Sequence, residues 1–163
     1  MTSRFVRTAC VVATVAFAAC LPVARAQAQV RTAHIVAADG AQRALSAALA
    51  EAKKQGWNVS IAVVDVSGDL IGYLRMDGAP PASIDISREK ARTAARMKRT
   101  TRSLDSTLTA GRIAILGLPG ITPIEGGVPI IINGEIIGAV GVSGATSAQD
   151  AQVAQAGAAA VQP

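Results

Sequence analysis

One histidine, one tryptophan and one tyrosine are all that the chain holds of those types, beside two cysteines and two phenylalanines. Each scarcity removes a class of chemistry. His34 is the sole imidazole, so no multi-histidine zinc spacing exists, and no Ser-His-Asp arrangement can be picked out. Cys10, Cys20, Phe5 and Phe17 all lie within the first 26 residues, which carry the pattern of an export leader. Arg4 and Arg7 precede a nearly pure apolar run, Ala9 to Leu21, and Ala24-Arg25-Ala26 supplies the small residues that signal peptidase accepts. The run is short for a membrane-spanning helix. The expectation is a signal peptide over 1–26 cleaved after Ala26, with the mature protein periplasmic or extracellular. A lipoprotein anchored at Cys20 is the alternative, because Phe17-Ala18-Ala19-Cys20 is a loose lipobox.

A mature chain of residues 27–163 has no thiol, which excludes disulfides and thiolate metal sites. A charge excess is missing too. Arg4, Arg7 and Arg25 leave with the leader, so 13 basic residues face 11 acidic ones, a net charge of +2. So small an excess gives no support for a nucleic-acid partner, and no stable membrane span is expected after cleavage. The remaining 137 residues suffice for a single domain with a core of Ala, Val, Ile and Leu.

What is present alternates between helical and extended patterns. AQRALSAALAEAKKQG places apolar residues at 41, 44, 45, 48, 49 and 52, a helical stripe that stops at Gly56. Residues 58–66 and 69–76 read as a hairpin about Ser67-Gly68. Pro80-Pro81 breaks regular structure, Ser83 is positioned to cap a helix over 84–99, and an irregular stretch runs to about 110. IAILGL (113–118) reads as a short strand or a buried loop. Residues 128–132 and 135–143 turn at Asn133-Gly134, a dipeptide suited to a type I′ turn. A final alanine-rich helix starts near Ser147, with Asp150 complementing its dipole. The order predicts an α+β domain with an antiparallel sheet.

Several motifs invite a ligand. The glycines of GGVPIIINGEIIGAVGVSG (126–144) match neither the dinucleotide fingerprint nor the Walker loop; they permit close backbone approach by a helix or a flat ligand. Ser87 to Lys90 fits S-x-x-K, but the companion Ser-Asp-Asn and Lys-Thr-Gly elements are absent. Arg88, Arg92, Arg96 and Arg99 fall on one helical stripe, which is either a solvated face or an anion platform. Asp65, Asp69 and Asp77 sit at turn positions and read as turn residues or as ligands for a hard cation.

RMDGAPPAS (75–83) followed by KARTA (90–94) resembles the GlcG/HbpS family of haem-binding proteins. The resemblance extends to VSIAVVDVSGDLIGYLRMDGA (59–79), to GGVPIIINGEIIGAVGVSGAT (126–146) and to Asp150, and it spans about residues 37–160. It implies a profilin-like domain with a five-stranded antiparallel sheet flanked by helices, assembled into homo-oligomers, often octamers. It also implies haem binding in some members, with haem breakdown proposed. On these motifs the expected ligand-binding positions in the middle of the chain are Arg75, Asp77, Gly78 and Ser83, followed by Lys90, Arg92 and Arg96. Gly127, Gly141 and Ser143 complete them. A haem would need an axial donor: His34 by chemistry, with Met76 or Met97 as weaker donors. The leading expectation is an exported haem or tetrapyrrole-binding protein, with weak haem degradation at most. The alternatives are a binding protein for a small catabolic carboxylate, held by Arg75, Lys90 or the arginine stripe, and an enzyme acting at the Asp77 loop.

Overall fold

The computed structural model describes residues 33–163; the expected leader and its cleavage point lie outside them. The alanine stripe builds α1 (Ala38–Gln55), burying Ala41, Ala44, Leu45, Ala48 and Ala52. Gly56 ends it at φ 72°, where its N–H caps the Ala52 and Lys53 carbonyls. The first hairpin pairs β1 (Ser60–Asp65) with β2 (Leu70–Arg75). Its turn is held by the Asp65 carboxylate, which accepts the N–H groups of Ser67 at 2.8 Å and Asp69 at 2.9 Å. Asp65 therefore does the work of a turn residue. The diproline loop leads into α2 (Ser83–Met97), and a second short helix follows, α3 (Thr101–Thr109). After a 3-10 turn at Ile113–Gly117 come β3 (Gly127–Ile132) and β4 (Glu135–Ser143). They meet at Asn133, φ 51°, and Gly134, φ 81°, the pair of positive values that a type I′ turn demands. α4 (Ser147–Ala159) completes the described chain, with Thr146 as its cap.

The sheet has four strands, not the expected five, in the order β2-β1-β4-β3, every neighbour antiparallel. The 113–118 segment adds no strand because it curls into the 3-10 turn, burying Ile115 alone and leaving Ile113 72% exposed. The chain before α1 runs beside β4 with one backbone bond, Val36 N–H to Ile137 C=O at 2.9 Å, which makes no ladder. The stretch to 110, expected to be irregular, is largely α3. Its Ser and Thr residues are weak helix formers that here bond back along their own helix: Thr107 donates to the Ser103 carbonyl and Thr109 to that of Asp105, both at 2.8 Å. Only Thr101 and Leu104 are buried, so the apolar stripe that would have announced the helix is missing.

Strand alternation gives the sheet two different faces. Val59, Ile61, Val63, Val140 and Val142 point toward α1 and α4 and share a core with Ala44, Ala48, Val153 and Ala154. Ala62, Val64 and Ala139 point the other way, against Ala91, Ala94 and Ala95 of α2. The second interface is built from small residues, so helix and sheet approach backbone to backbone. A Cβ on Gly141 would strike the Ser87 carbonyl oxygen and the Ala91 nitrogen, and one on Gly127 would strike the Lys90 carbonyl. Both glycines are places where α2 lies on the sheet.

Candidate functional site

The hairpin end of the sheet carries a cleft of about 380 Å³ between the start of α1, the β3–β4 turn and the C-terminal residues. Ile132, Ile137, Val36 and Val161 give it apolar walls, while His34, Arg43 and Glu135 bring polar groups to it. The chain reaches this place because the Val36 N–H is tied to β4 and the Val36 side chain joins the core above Ile137 and Val161. Two residues earlier, His34 Nδ1 lies 2.7 Å from Glu135 Oε2. An ionised carboxylate only accepts, so Nδ1 carries the proton and donates. Nε2 is then the nitrogen whose lone pair is free in the neutral ring, the arrangement by which a carboxylate orients a metal-binding imidazole. The same hydrogen bond holds the Glu135 carboxyl below its ordinary value. Sequence reading names His34 but misses Glu135 and Arg43. The partners lie 101 residues apart, and the segment before α1 brings them together by running beside β4, tied there by the Val36 N–H to Ile137 C=O bond.

The other expected positions do not gather at this cleft. Lys90 is buried, its Nζ donating to Asp150 Oδ2 at 2.8 Å and to the Val142 carbonyl at 3.1 Å. Asp150 Oδ1 accepts the Ala145 N–H at 3.0 Å, so the ion pair fastens α2 to the loop that starts α4. Burial pushes the Asp150 carboxyl up from 3.8, against the opposing pull of Lys90 and Ala145. Ser83 and Ser143 are buried as well, and Ser83 Oγ donates to the Pro80 carbonyl at 2.6 Å while lying 2.7 Å from Ser60 Oγ. Ser83 is the first residue of α2, and its hydroxyl fastens the diproline loop instead of capping the helix. Arg75 reaches across that same loop to the Ala79 carbonyl at 2.7 Å. Asp77 is exposed at the loop tip, and Gly78 takes φ 81° against Asn58.

Arg92 and Arg96 stand on α2, and their aliphatic stems pack over Gly68 of the first hairpin turn. They belong to the opposite face of the sheet from His34. Met76 packs at the border of the α1 and α4 core, and Met97 lines separate hollows at the end of α2. Among the described residues no group of three or more His, Cys, Asp or Glu side chains is placed to hold a metal ion, and no helix is long and apolar enough to cross a membrane.

A family model described as haem degrading protein HbpS-like matches residues 36–159. The chain belongs to this family. Protein GlcG of Escherichia coli strain K12 is 47% identical over 113 residues, which cover 69% of this chain and 84% of GlcG. Among solved structures, a double mutant of Streptomyces reticuli HbpS is similar at a TM-score of 0.75 and 35% identity, covering 86% of this chain and 97% of that one. A PduOC:heme complex is similar at a TM-score of 0.71 and 26% identity, with 78% and 95% covered. Like these relatives, the HbpS-like chain is a mixed α+β domain, and one of its structural neighbours is a complex with haem.

Proposed function

We propose that this HbpS-like chain is an exported haem-binding protein that takes the macrocycle in the cleft beside His34. The observation that carries the reading is the Glu135-oriented imidazole at the mouth of an apolar cleft, with the Arg43 side chain available to a propionate. The PduOC:heme relative supports the ligand class. Export rests on the leader pattern of residues 1–26, and homo-oligomeric assembly on the family resemblance. Haem would supply a redox-active iron. The chain's own part is to hold Nε2 in place through Glu135 and to shelter one face of the ring with Ile132, Ile137 and Val161. Slow breakdown of bound haem, suggested by the family's description, is the finer part of the proposal.

Titration of hemin into the purified protein tests the binding. A saturable Soret shift at micromolar hemin is expected, altered in His34→Ala and weakened tenfold or more in Glu135→Gln. The absence of a saturable shift in the wild type refutes haem binding, and an unchanged spectrum in His34→Ala refutes the site. Faster loss of the Soret band with ascorbate than for free hemin would support breakdown. The small-carboxylate reading has less behind it at the positions expected. Arg88 and Arg92 each sit 3.8 Å from an acidic neighbour on their own helix, which fits a solvated face.

A further inference from the structure

A second cleft, of about 410 Å³, opens where the end of α2, α3 and the 3-10 turn meet, on the far side of α2 from the sheet's hairpin site. Its volume lies within the roughly 300–1,000 Å³ of small-molecule sites. Leu104 and Ile115 line it as buried side chains, and Met97, Ala114 and Leu118 extend the apolar lining. Two guanidiniums border this lining: Arg99 from the α2–α3 link and Arg112 from the segment after α3. Neither belongs to an ion pair among the described residues, unlike Arg88, Arg92 and Arg102. No acidic residue lines the cleft. An apolar floor bordered by unpaired cations, with no counter-charge of its own, is complementary to a molecule with an apolar tail and an anionic head.

We propose that the Met97–Leu118 cleft binds an amphipathic carboxylate, an alkanoate of medium chain length, with its tail on Leu104 and Ile115 and its head between Arg99 and Arg112. The planar fork of arginine matches a carboxylate in two parallel hydrogen bonds, which selects this head over an alcohol or amine. The apolar floor sets the tail. Each methylene that it shelters strengthens binding about fourfold, so a short hydroxy acid gains little here. The inference does not depend on haem at His34, since the two clefts share no residue.

The test is calorimetric titration of the full-length protein with butyrate, hexanoate, octanoate and decanoate, with decanol as the uncharged control. Affinity should rise with chain length, and decanoate should bind at least tenfold more tightly than decanol. Arg99→Ala and Arg112→Ala should each weaken decanoate about tenfold and leave decanol unchanged, while His34→Ala should leave both unchanged. Leu118→Asp, at a half-exposed position that tolerates charge in the fold, should abolish decanoate binding. Three results overturn the proposal: no dependence on chain length, equal binding in both arginine variants, or a shift in molecular mass showing that decanoate displaces a second copy seated on this face. If hemin binding is lost in the arginine variants and kept in His34→Ala, the cleft is the tetrapyrrole site, and the alkanoate proposal falls together with the His34 reading.

Discussion

Removing one partner of the Lys90–Asp150 pair should be the most damaging single polar change in the domain. The two side chains are 2% and 3% exposed, so neither charge can recover water when its partner leaves. Asp150→Ala would leave the Lys90 ammonium with the Val142 carbonyl as its remaining partner, and would orphan the Ala145 N–H as well. Losing one member of a buried pair costs about 3–5 kcal/mol. With a urea slope of about 2 kcal/mol/M, the midpoint should fall by roughly 1.5–2.5 M. Lys90→Met combined with Asp150→Asn should be far milder than the sum of the single changes. The methionine fills the lysine's space, and the amide oxygen still accepts from Ala145. Equilibrium urea denaturation of wild type, Lys90→Met, Asp150→Asn and the double variant gives the coupling, expected at about 2–3 kcal/mol.

The pH dependence adds a check with a fixed sign. The folded pKa of Asp150 lies above 3.8, so the native state holds this proton more tightly than the unfolded chain does. This group's contribution is therefore complete below 3.8 and declines as pH rises through the window up to the folded value. Asp150→Asn should remove that decline. A coupling below about 0.5 kcal/mol, or an Asp150→Ala variant within about 1 kcal/mol of wild type, would refute the reasoning, since a buried pair cannot be cut so cheaply.

The other expectations concern packing and ligand choice. Gly141→Ala places a methyl group in the backbone of α2 and should destabilise the fold by about 1–3 kcal/mol or more, read as a lower urea midpoint; a neutral result would mean that α2 is not seated on β4 at that distance. Tyr73 carries the one buried side-chain polar atom without a partner among the described residues. Tyr73→Phe should therefore be stabilising by about 1 kcal/mol, and destabilisation would show that the hydroxyl has a partner such as a buried water. Met97→Leu should leave the hemin spectrum of the wild type unchanged. A changed spectrum would transfer the axial role from His34 to the cleft at the end of α2.

The order of elements was readable because it rests on local signals: a 3.6-residue alanine stripe, alternating strands and an Asn-Gly turn whose two positive φ angles are present. Where local signals are weak, the reading departs from the structure. α3 reads TRSLDSTLT, mostly threonine and serine, with Leu104 its one buried apolar side chain, so its apolar stripe is too short to announce a helix. The 113–118 run is apolar without being a strand, because hydrophobicity alone does not say whether a segment pairs or curls. The site was less readable still. His34 stands out as the sole histidine, but its meaning depends on Glu135, and that contact exists only through tertiary structure. Lys90 and Asp150 both lie in motifs that the family resemblance singles out, yet no sequence rule separates a motif that meets a ligand from one that fastens a helix to a sheet.

The same distinction decides the role of the glycines between 126 and 144. Glycine in a strand admits a close neighbour, and a flat macrocycle was one neighbour the sequence allowed. At Gly141 and Gly127 that neighbour is the backbone of α2. The space is therefore already taken, and the ion pair beneath it makes displacement of the helix costly. A flat ligand accordingly has no room at these two glycines, whereas clefts are open where the helices leave the sheet. Two such places have been described, at the hairpin end beside His34 and at the α2–α3 junction beside Arg99. The first offers a nitrogen donor held by a carboxylate; the second offers two cations bordering an apolar floor. Iron calls for the donor and a tailed anion for the cations, and on that chemistry we propose different ligands for the two sites.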